Sequence, residues 1–274
     1  MNTMRRITIV ALVMALVAIP TAAFALDDAA TDTEPVVTDL PIRDAVRDAV
    51  TDHRERDLSA IKARALETIN KQLEALSRLR AAIGNSRHIT GAHSGQLLGD
   101  IGRATGGLES LARRIEAATT LEELRELIEQ IDDFKIKQVL APKTHQVIAS
   151  DSLVYATGKL ERFAEKLETV IARFEEAGYD VDEATSLLEE MKEHTSEGYR
   201  LGAPVAGNVI GLQASDWPDP AEGILTSGRA DLRAAGGNVK SAHHNGVAIV
   251  KFLRSLTDGT DVDLGRSDVA PTDS

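Results

Sequence analysis

The feature that most constrains this chain is a long stretch without proline, between Pro41 and Pro142, in which apolar residues recur every three or four positions. Proline interrupts α-helices because it lacks a backbone N–H and its ring meets the preceding turn. Spacings of three and four place side chains on one helical face. The stretch therefore predicts long amphipathic helices, the first of which carries the stripe Leu58, Ile61, Ala65, Ile69, Leu73, Leu76, Leu79 and Ile83.

Two further helices are predicted before Pro142. One runs from Gly91 to Ala117, and its glycines either form a bare strip where a neighbouring backbone can approach or mark an irregular stretch. The other begins at Thr120, because Thr120 and Glu123 have the spacing of a capping box, and it continues to Phe134.

Beyond Pro142 the pattern predicts a fourth helix that ends at Gly178 and a fifth that covers residues 184–212. Because Gly198, Gly202 and Pro204 fall inside the fifth helix, we expect it to be bent or broken there.

The last predicted helix has the most regular pattern in the chain. Asp219 is placed to cap it and Pro220 to occupy its first position. Large and small residues then alternate strictly by three and four, which suits close approach of a partner helix. We expect an antiparallel hairpin with the helix at 184–212; the stripe consists of Leu225, Gly228, Leu232, Ala235, Val239, Ala242, Gly246, Ile249 and Leu253.

These segments predict an all-α fold: an elongated bundle of five or six long amphipathic helices with antiparallel coiled-coil-like hairpins. The helical bundle domain is expected over residues 42–257. Residues 26–41 and 258–274 are acidic and lack apolar periodicity, so we expect a disordered linker before the bundle and a disordered tail after it.

Residues 1–25 are typical of a signal peptide. Arg5 and Arg6 precede an apolar run from Ile7 to Ile19, which is shorter than the roughly 20 residues that span a bilayer. Ala23-Phe24-Ala25 fits a signal-peptidase site. We therefore expect cleavage after Ala25, a secreted or cell-envelope location, and no integral membrane anchor in the mature chain.

Charge and cysteine content exclude several classes of function. Cleavage after Ala25 would remove two arginines and no acid, leaving 29 basic against 43 acidic residues and a net charge of −14. Such a chain repels phosphate backbones, so we expect no nucleic-acid partner. The chain has no cysteine, which excludes disulfides and a lipoprotein anchor.

The segment from Leu108 to Asp151 resembles a group of uncharacterised secreted helical proteins of high-GC Gram-positive bacteria. The similarity is carried by the helix start Thr119-Thr120-Leu121, the run Leu140-Ala141-Pro142-Lys143 and the following His145. Looser similarity of helix lengths extends over residues 55–256. The resemblance implies an exported, coiled-coil-like bundle and supplies no active site.

Candidate metal ligands are sparse. Glu190 and His194 stand four residues apart with Glu193 between them, a spacing that places a carboxylate and an imidazole on one helix face. Two ligands do not complete a site, so a solvated acidic face is the favoured interpretation. The tail residues Asp258, Asp261, Asp263 and Asp268 invite a calcium hypothesis, but their spacing does not fit an EF-hand loop. We therefore predict no metal and no cofactor.

The remaining histidines and serines do not form a catalytic pattern. His243 borders the apolar stripe beside His244, where interface hydrogen bonding is favoured over a pH switch, and His145 is expected to make a local structural hydrogen bond. The segment from Gly91 to Gly95 contains His93 and Ser94, but the sequence supplies neither a preceding strand nor a residue to orient His93. We therefore predict that the protein is not an enzyme.

The functional expectation is an exported, non-enzymatic helical protein. It would act as a structural or protein-interaction module in the cell envelope or extracellular space, with an unknown protein or envelope component as partner. The alternative is a carrier of a lipid or another apolar small molecule, suggested by glycine-interrupted packing around residues 91–107 and 198–211. Self-association through the helix at 225–253 is a third possibility.

Overall fold

A computed structural model describes residues 57–258. The predicted signal peptide, the acidic linker, the first part of the predicted bundle and the tail beyond residue 258 lie outside the described residues. Within them the all-α prediction is confirmed: six α-helices pack against one another, and no strand occurs in this range. None of these helices combines the length and the apolar character that a bilayer span requires.

The first three helices follow each other in sequence. Helix α1 spans Asp57–Asn85, α2 spans Gly91–Ala117 and α3 spans Leu121–Glu129. Helices α1 and α2 are antiparallel, since Lys62 near the start of α1 donates to the backbone carbonyl of Glu116 near the end of α2 at 2.9 Å. The glycine-rich stretch at 91–107 lies within α2 and is helical throughout.

The predicted capping box at α3 is present, except that Glu123 bonds the N–H of Thr119 instead of the N–H of Thr120. The Thr120 hydroxyl accepts from the Glu123 N–H at 3.2 Å, and the Glu123 carboxylate accepts from the N–H of Thr119. Helix α3 ends earlier than predicted. A 3₁₀ turn spans Asp132–Phe134, and Lys135 adopts a left-handed conformation with φ of 43°.

Three long helices complete the fold. A π-helical turn, Ile136–Leu140, leads directly into α4, Ala141–Glu176. Helix α5 spans Asp182–Ile210, a second 3₁₀ turn spans Ala214–Asp216, and α6 spans Ala221–Asp258. Gly178, with φ of 87°, follows the end of α4 as predicted, because glycine adopts the left-handed conformation of a helix C-terminus without steric cost.

The described residues form two compact units. The first unit comprises residues 57–157 and 197–237, and the second comprises residues 158–196 and 238–258. Helices α4, α5 and α6 contribute residues to both. The second unit has its own core, formed by aliphatic side chains together with Phe163, Phe174 and Met191.

The antiparallel pairing predicted for the last two helices is found in each unit. In the first, a Cβ on Gly202 of α5 would lie 3.3 Å from the Cβ of Ala235 of α6. In the second, Asn245 of α6 donates to Glu190 of α5 at 3.1 Å. Apart from half-buried Leu232, the stripe of α6 is buried within the chain, so this face is already covered in a single copy.

Helix α5 was expected to be bent or broken near Pro204, and it continues through that residue without a break. The side chain of Ser150 in α4 contacts the backbone of α5 beside this proline. Its hydroxyl donates to the carbonyl of Gly202 at 2.8 Å and accepts from the N–H of Ala206 at 3.2 Å. An uninterrupted helix would pair these two backbone groups with each other. The hydroxyl is thus inserted into the hydrogen-bond ladder beside the proline, which is a known cause of helix bending.

Candidate functional site

A buried ion pair joins α2 and α4 in the first unit. Lys143 is 2% exposed and Asp100 is 8% exposed. Lys143 Nζ lies 2.5 Å from Asp100 Oδ2 and donates to the carbonyl of Leu212, just beyond the end of α5, at 2.7 Å. Burying two charges costs several kcal/mol per ion unless both are paired and hydrogen-bonded. The pair therefore specifies how α2, α4 and the end of α5 meet.

The polar groups around this pair include spare hydrogen-bond donors. The exposed Arg103 guanidinium donates to the other oxygen of the Asp100 carboxylate. An ammonium group has three N–H donors, and Lys143 uses two of them. Among the described residues the third has no acceptor. One carboxylate thus faces two cations, and a buried donor remains available.

The chain beside the pair has an irregular backbone. Within the π-helical turn, the N–H of Leu140 bonds the carbonyl of Lys135, five residues earlier, at 3.3 Å. Such wide turns occur frequently at functional sites. The ring of Phe134 lies against Gly107, where a Cβ would come within 2.5 Å of a ring carbon. Glycine at 107 therefore leaves room for this ring.

These groups surround a pocket of about 200 Å³ in the first unit. Both residues of the buried ion pair line it, and Arg103 and Asp133 bring two further charges to it. Most of the remaining wall is apolar. The lining residues are Asp100, Arg103, Ala104, Asp133, Phe134, Val139, Leu140, Lys143, Leu212, Gln213 and Ala214. A small pocket with a few polar groups on one side is suited to holding a small amphipathic molecule.

A second polar cluster ties the start of α2 to α4. His93 Nδ1 lies 2.9 Å from both carboxylate oxygens of Asp151, which is 7% exposed and also accepts the N–H of Thr90 at 2.8 Å. Both carboxylate oxygens are thus within hydrogen-bonding distance of the same ring nitrogen. This arrangement corrects the sequence prediction that no residue orients His93: Asp151 does so. Among the described residues no serine or threonine hydroxyl contacts the ring.

One helical turn beyond Asp151, the aromatic ring of Tyr155 in α4 packs against the imidazole ring of His88. His88 and Tyr155 stack with ring centroids 3.7 Å apart and an interplanar angle of 11°. Tyr155 is 37% exposed and its neighbour Val154 is 38% exposed. Tyr155 is therefore stacked on His88 and partly exposed to solvent.

The residues proposed as metal ligands are used otherwise. His194 Nδ1 is hydrogen-bonded to Asn238 Oδ1 at 2.9 Å, and Glu190 accepts from Asn245. Glu193 is exposed. Within residues 57–258 no group of three or more histidine, aspartate or glutamate side chains is arranged to hold a metal ion. Apart from the helical Asp258, the tail aspartates lie outside this range.

The other predicted histidines differ in environment. Burial, followed by the charge of His244, lowers the pKa of the half-buried His243 below its ordinary value. Desolvation lowers the pKa of His145, although that residue is exposed. The local hydrogen bond expected for His145 stays a prediction.

Sequence reasoning missed the three acidic and basic residues at the centre of these clusters: Asp100, Lys143 and Asp151. The sequence does contain a signal for Asp100. Asp100 stands three residues after Leu97 and directly before Ile101, so it occupies the apolar face of α2. A charged residue on a core face points to a buried partner.

Comparison with protein-family models, with curated proteins and with solved structures finds no match to this chain. The resemblance described for residues 108–151 therefore stays a prediction.

Proposed function

We propose that this protein is an exported, non-enzymatic helical protein that acts as a protein-interaction module in the cell envelope or extracellular space. The export part of the proposal rests on the features of residues 1–25. The interaction part rests chiefly on one observation, the adjacent exposed side chains of Val154 and Tyr155 with His88 stacked on the tyrosine ring.

A tyrosine held in this way is suited to contact a partner. Tyrosine supplies a large amphipathic contact area and is enriched where proteins meet. Stacking on His88 limits the ring's freedom before binding, so less conformational entropy is lost when a partner covers it. The aliphatic stripes of the helices are largely buried within the chain and do not compete for this role.

The test is fractionation of the host with and without high salt, using the full-length chain. The wild type should be recovered with the envelope, whereas the variant Val154→Ser/Tyr155→Ser should be found in the medium. Tyr199→Ser removes another exposed tyrosine and should behave like the wild type. Circular dichroism establishes that both variants are folded. A wild-type protein present only as free monomer in the medium would contradict the proposal.

A second candidate function is a carrier of a small molecule, and the pocket beside Lys143 supports it. The glycine-rich stretches that suggested splaying helices are helical over 91–107 and 198–210. A dry cavity of roughly 150 Å³ holds one benzene molecule. The observed volume of about 200 Å³ therefore suits a molecule of that size and does not enclose a lipid chain. Native mass spectrometry of protein purified from its host tests for a retained small molecule.

A further inference from the structure

We propose that the pocket beside Lys143 binds the anion of a small carboxylic acid with a compact apolar body, such as an aromatic or branched carboxylate. The inference takes the second candidate function as its starting point and names the class of ligand. The third N–H of Lys143 and the guanidinium of Arg103 would donate to the carboxylate, and the apolar wall would cover its carbon body.

The polar groups of the pocket leave one N–H donor of Lys143 unused. Asp100 already accepts from both Lys143 and Arg103, one cation on each oxygen. The remaining Lys143 donor is buried, and a buried donor without an acceptor is unfavourable. A ligand that brings acceptor oxygens removes this cost.

The hydrogen-bonding groups that are still unused in the pocket favour an anionic ligand over a cationic one. Lys143 and Asp100 are both almost completely buried and offset each other's charge, and both oxygens of Asp100 already accept from cations. The other carboxylate at the pocket, Asp133, is exposed to solvent and its charge is screened. The carbonyl of Leu212 is already engaged by Lys143. A carboxylate can therefore accept from Lys143 and Arg103, whereas an ammonium group has the solvent-screened Asp133 carboxylate as its charged acceptor.

The apolar wall sets the size and shape of the ligand's body. Phe134, Val139, Leu140 and Leu212 line one side, and the small side chains of Ala104 and Ala214 leave the space open. A ring of six carbons fits a volume of this order. Benzoate combines such a ring with a carboxylate and is the probe that matches the pocket.

The experiment uses the whole chain after signal-peptide cleavage. Titrations followed by NMR measure its binding of benzoate, benzamide and benzylamine. We expect benzoate to bind at least tenfold more tightly than benzamide, and benzylamine not to bind. Arg103→Gln removes an exposed donor and should weaken benzoate binding by about tenfold, the effect of roughly one charge-assisted hydrogen bond. Arg113→Gln, an exposed arginine on the same helix outside the pocket, should change nothing.

A second variant tests the location without altering charge. Ala104→Leu fills the space beside Phe134 and should abolish binding of benzoate and benzamide alike. Equal affinity for benzoate and benzamide, or binding that neither variant changes, would overturn the inference. If benzoate does not bind but native mass spectrometry finds another small molecule, the ligand class is wrong and the carrier function stands. If neither is found, both fail.

Discussion

Ser150 Oγ accepts a hydrogen bond of 3.2 Å from the backbone N–H of Ala206, two residues beyond the proline in α5. The same hydroxyl donates to Gly202, so one side chain of α4 connects the two backbone groups that a regular helix would join directly. A single buried serine therefore links α4 to the backbone of α5 on both sides of Pro204.

Replacing this serine tests the relationship. Ser150→Ala leaves two backbone groups without their partner and should lower the free energy of unfolding by about 1–3 kcal/mol. Ser152→Ala is the matched control, because the Ser152 hydroxyl bonds only to the carbonyl of Ile148 in its own helix and its loss should cost less than about 0.5 kcal/mol. Urea denaturation measures both. Equal effects of the two substitutions would show that Ser150 does not support α5.

The buried ion pair predicts an unequal response to single and double substitution. Lys143→Met leaves the Asp100 carboxylate buried with only Arg103 beside it and should cost about 3–5 kcal/mol. Adding Asp100→Asn removes the buried charge that has lost its buried partner, so the double variant should be more stable than Lys143→Met alone. Lys71→Met disrupts an exposed pair with Glu67 and should change the free energy of unfolding far less than Lys143→Met does. A double variant less stable than the single would contradict the role assigned to the pair.

Two glycines of α6 should respond oppositely to alanine. Nothing lies within 4 Å of a Cβ on Gly237, so Gly237→Ala should stabilise the protein by about 0.5–1 kcal/mol through helix propensity. A Cβ on Gly246 would come within 2.7 Å of the Phe163 ring and 3.2 Å of the Met191 sulfur. Gly246→Ala should therefore destabilise by about 1–3 kcal/mol. Thermal unfolding measures the two, and stabilisation by both would show that the Gly246 contact is loose.

The lowered pKa of His243 predicts a dependence of stability on pH. The folded protein binds a proton at His243 less readily than the unfolded chain, whose histidine titrates near the ordinary value of 6.5. The free energy of unfolding is therefore unaffected above that value and falls as the pH drops below it, towards the folded pKa. His243→Gln should make the fall between about pH 7.5 and pH 5.5 shallower.

The control for this prediction is His244→Gln. Because the charge of His244 is the second of the two causes, after burial, its removal should reduce the pH dependence less than the loss of His243 itself. Denaturation at a series of pH values compares the three proteins. A wild type and His243→Gln with parallel profiles would refute the prediction.

Much of the architecture followed from local pattern. The stripes of α1 and α6, the capping box at Thr120 and the stop at Gly178 each depend on residues within a few positions of one another, and each is present. The early end of α3 was missed, because the left-handed Lys135 and the π-helical turn after it are not signalled by glycine or proline.

The candidate site could not be predicted in the same way. Lys143 and Asp100 are 43 positions apart, and His93 and Asp151 are 58 positions apart. Sequence alone determined the helices and their apolar faces, because spacings of three and four act within one helix. Only the tertiary structure decided which buried charges meet and where a pocket remains, because those depend on how separate helices pack.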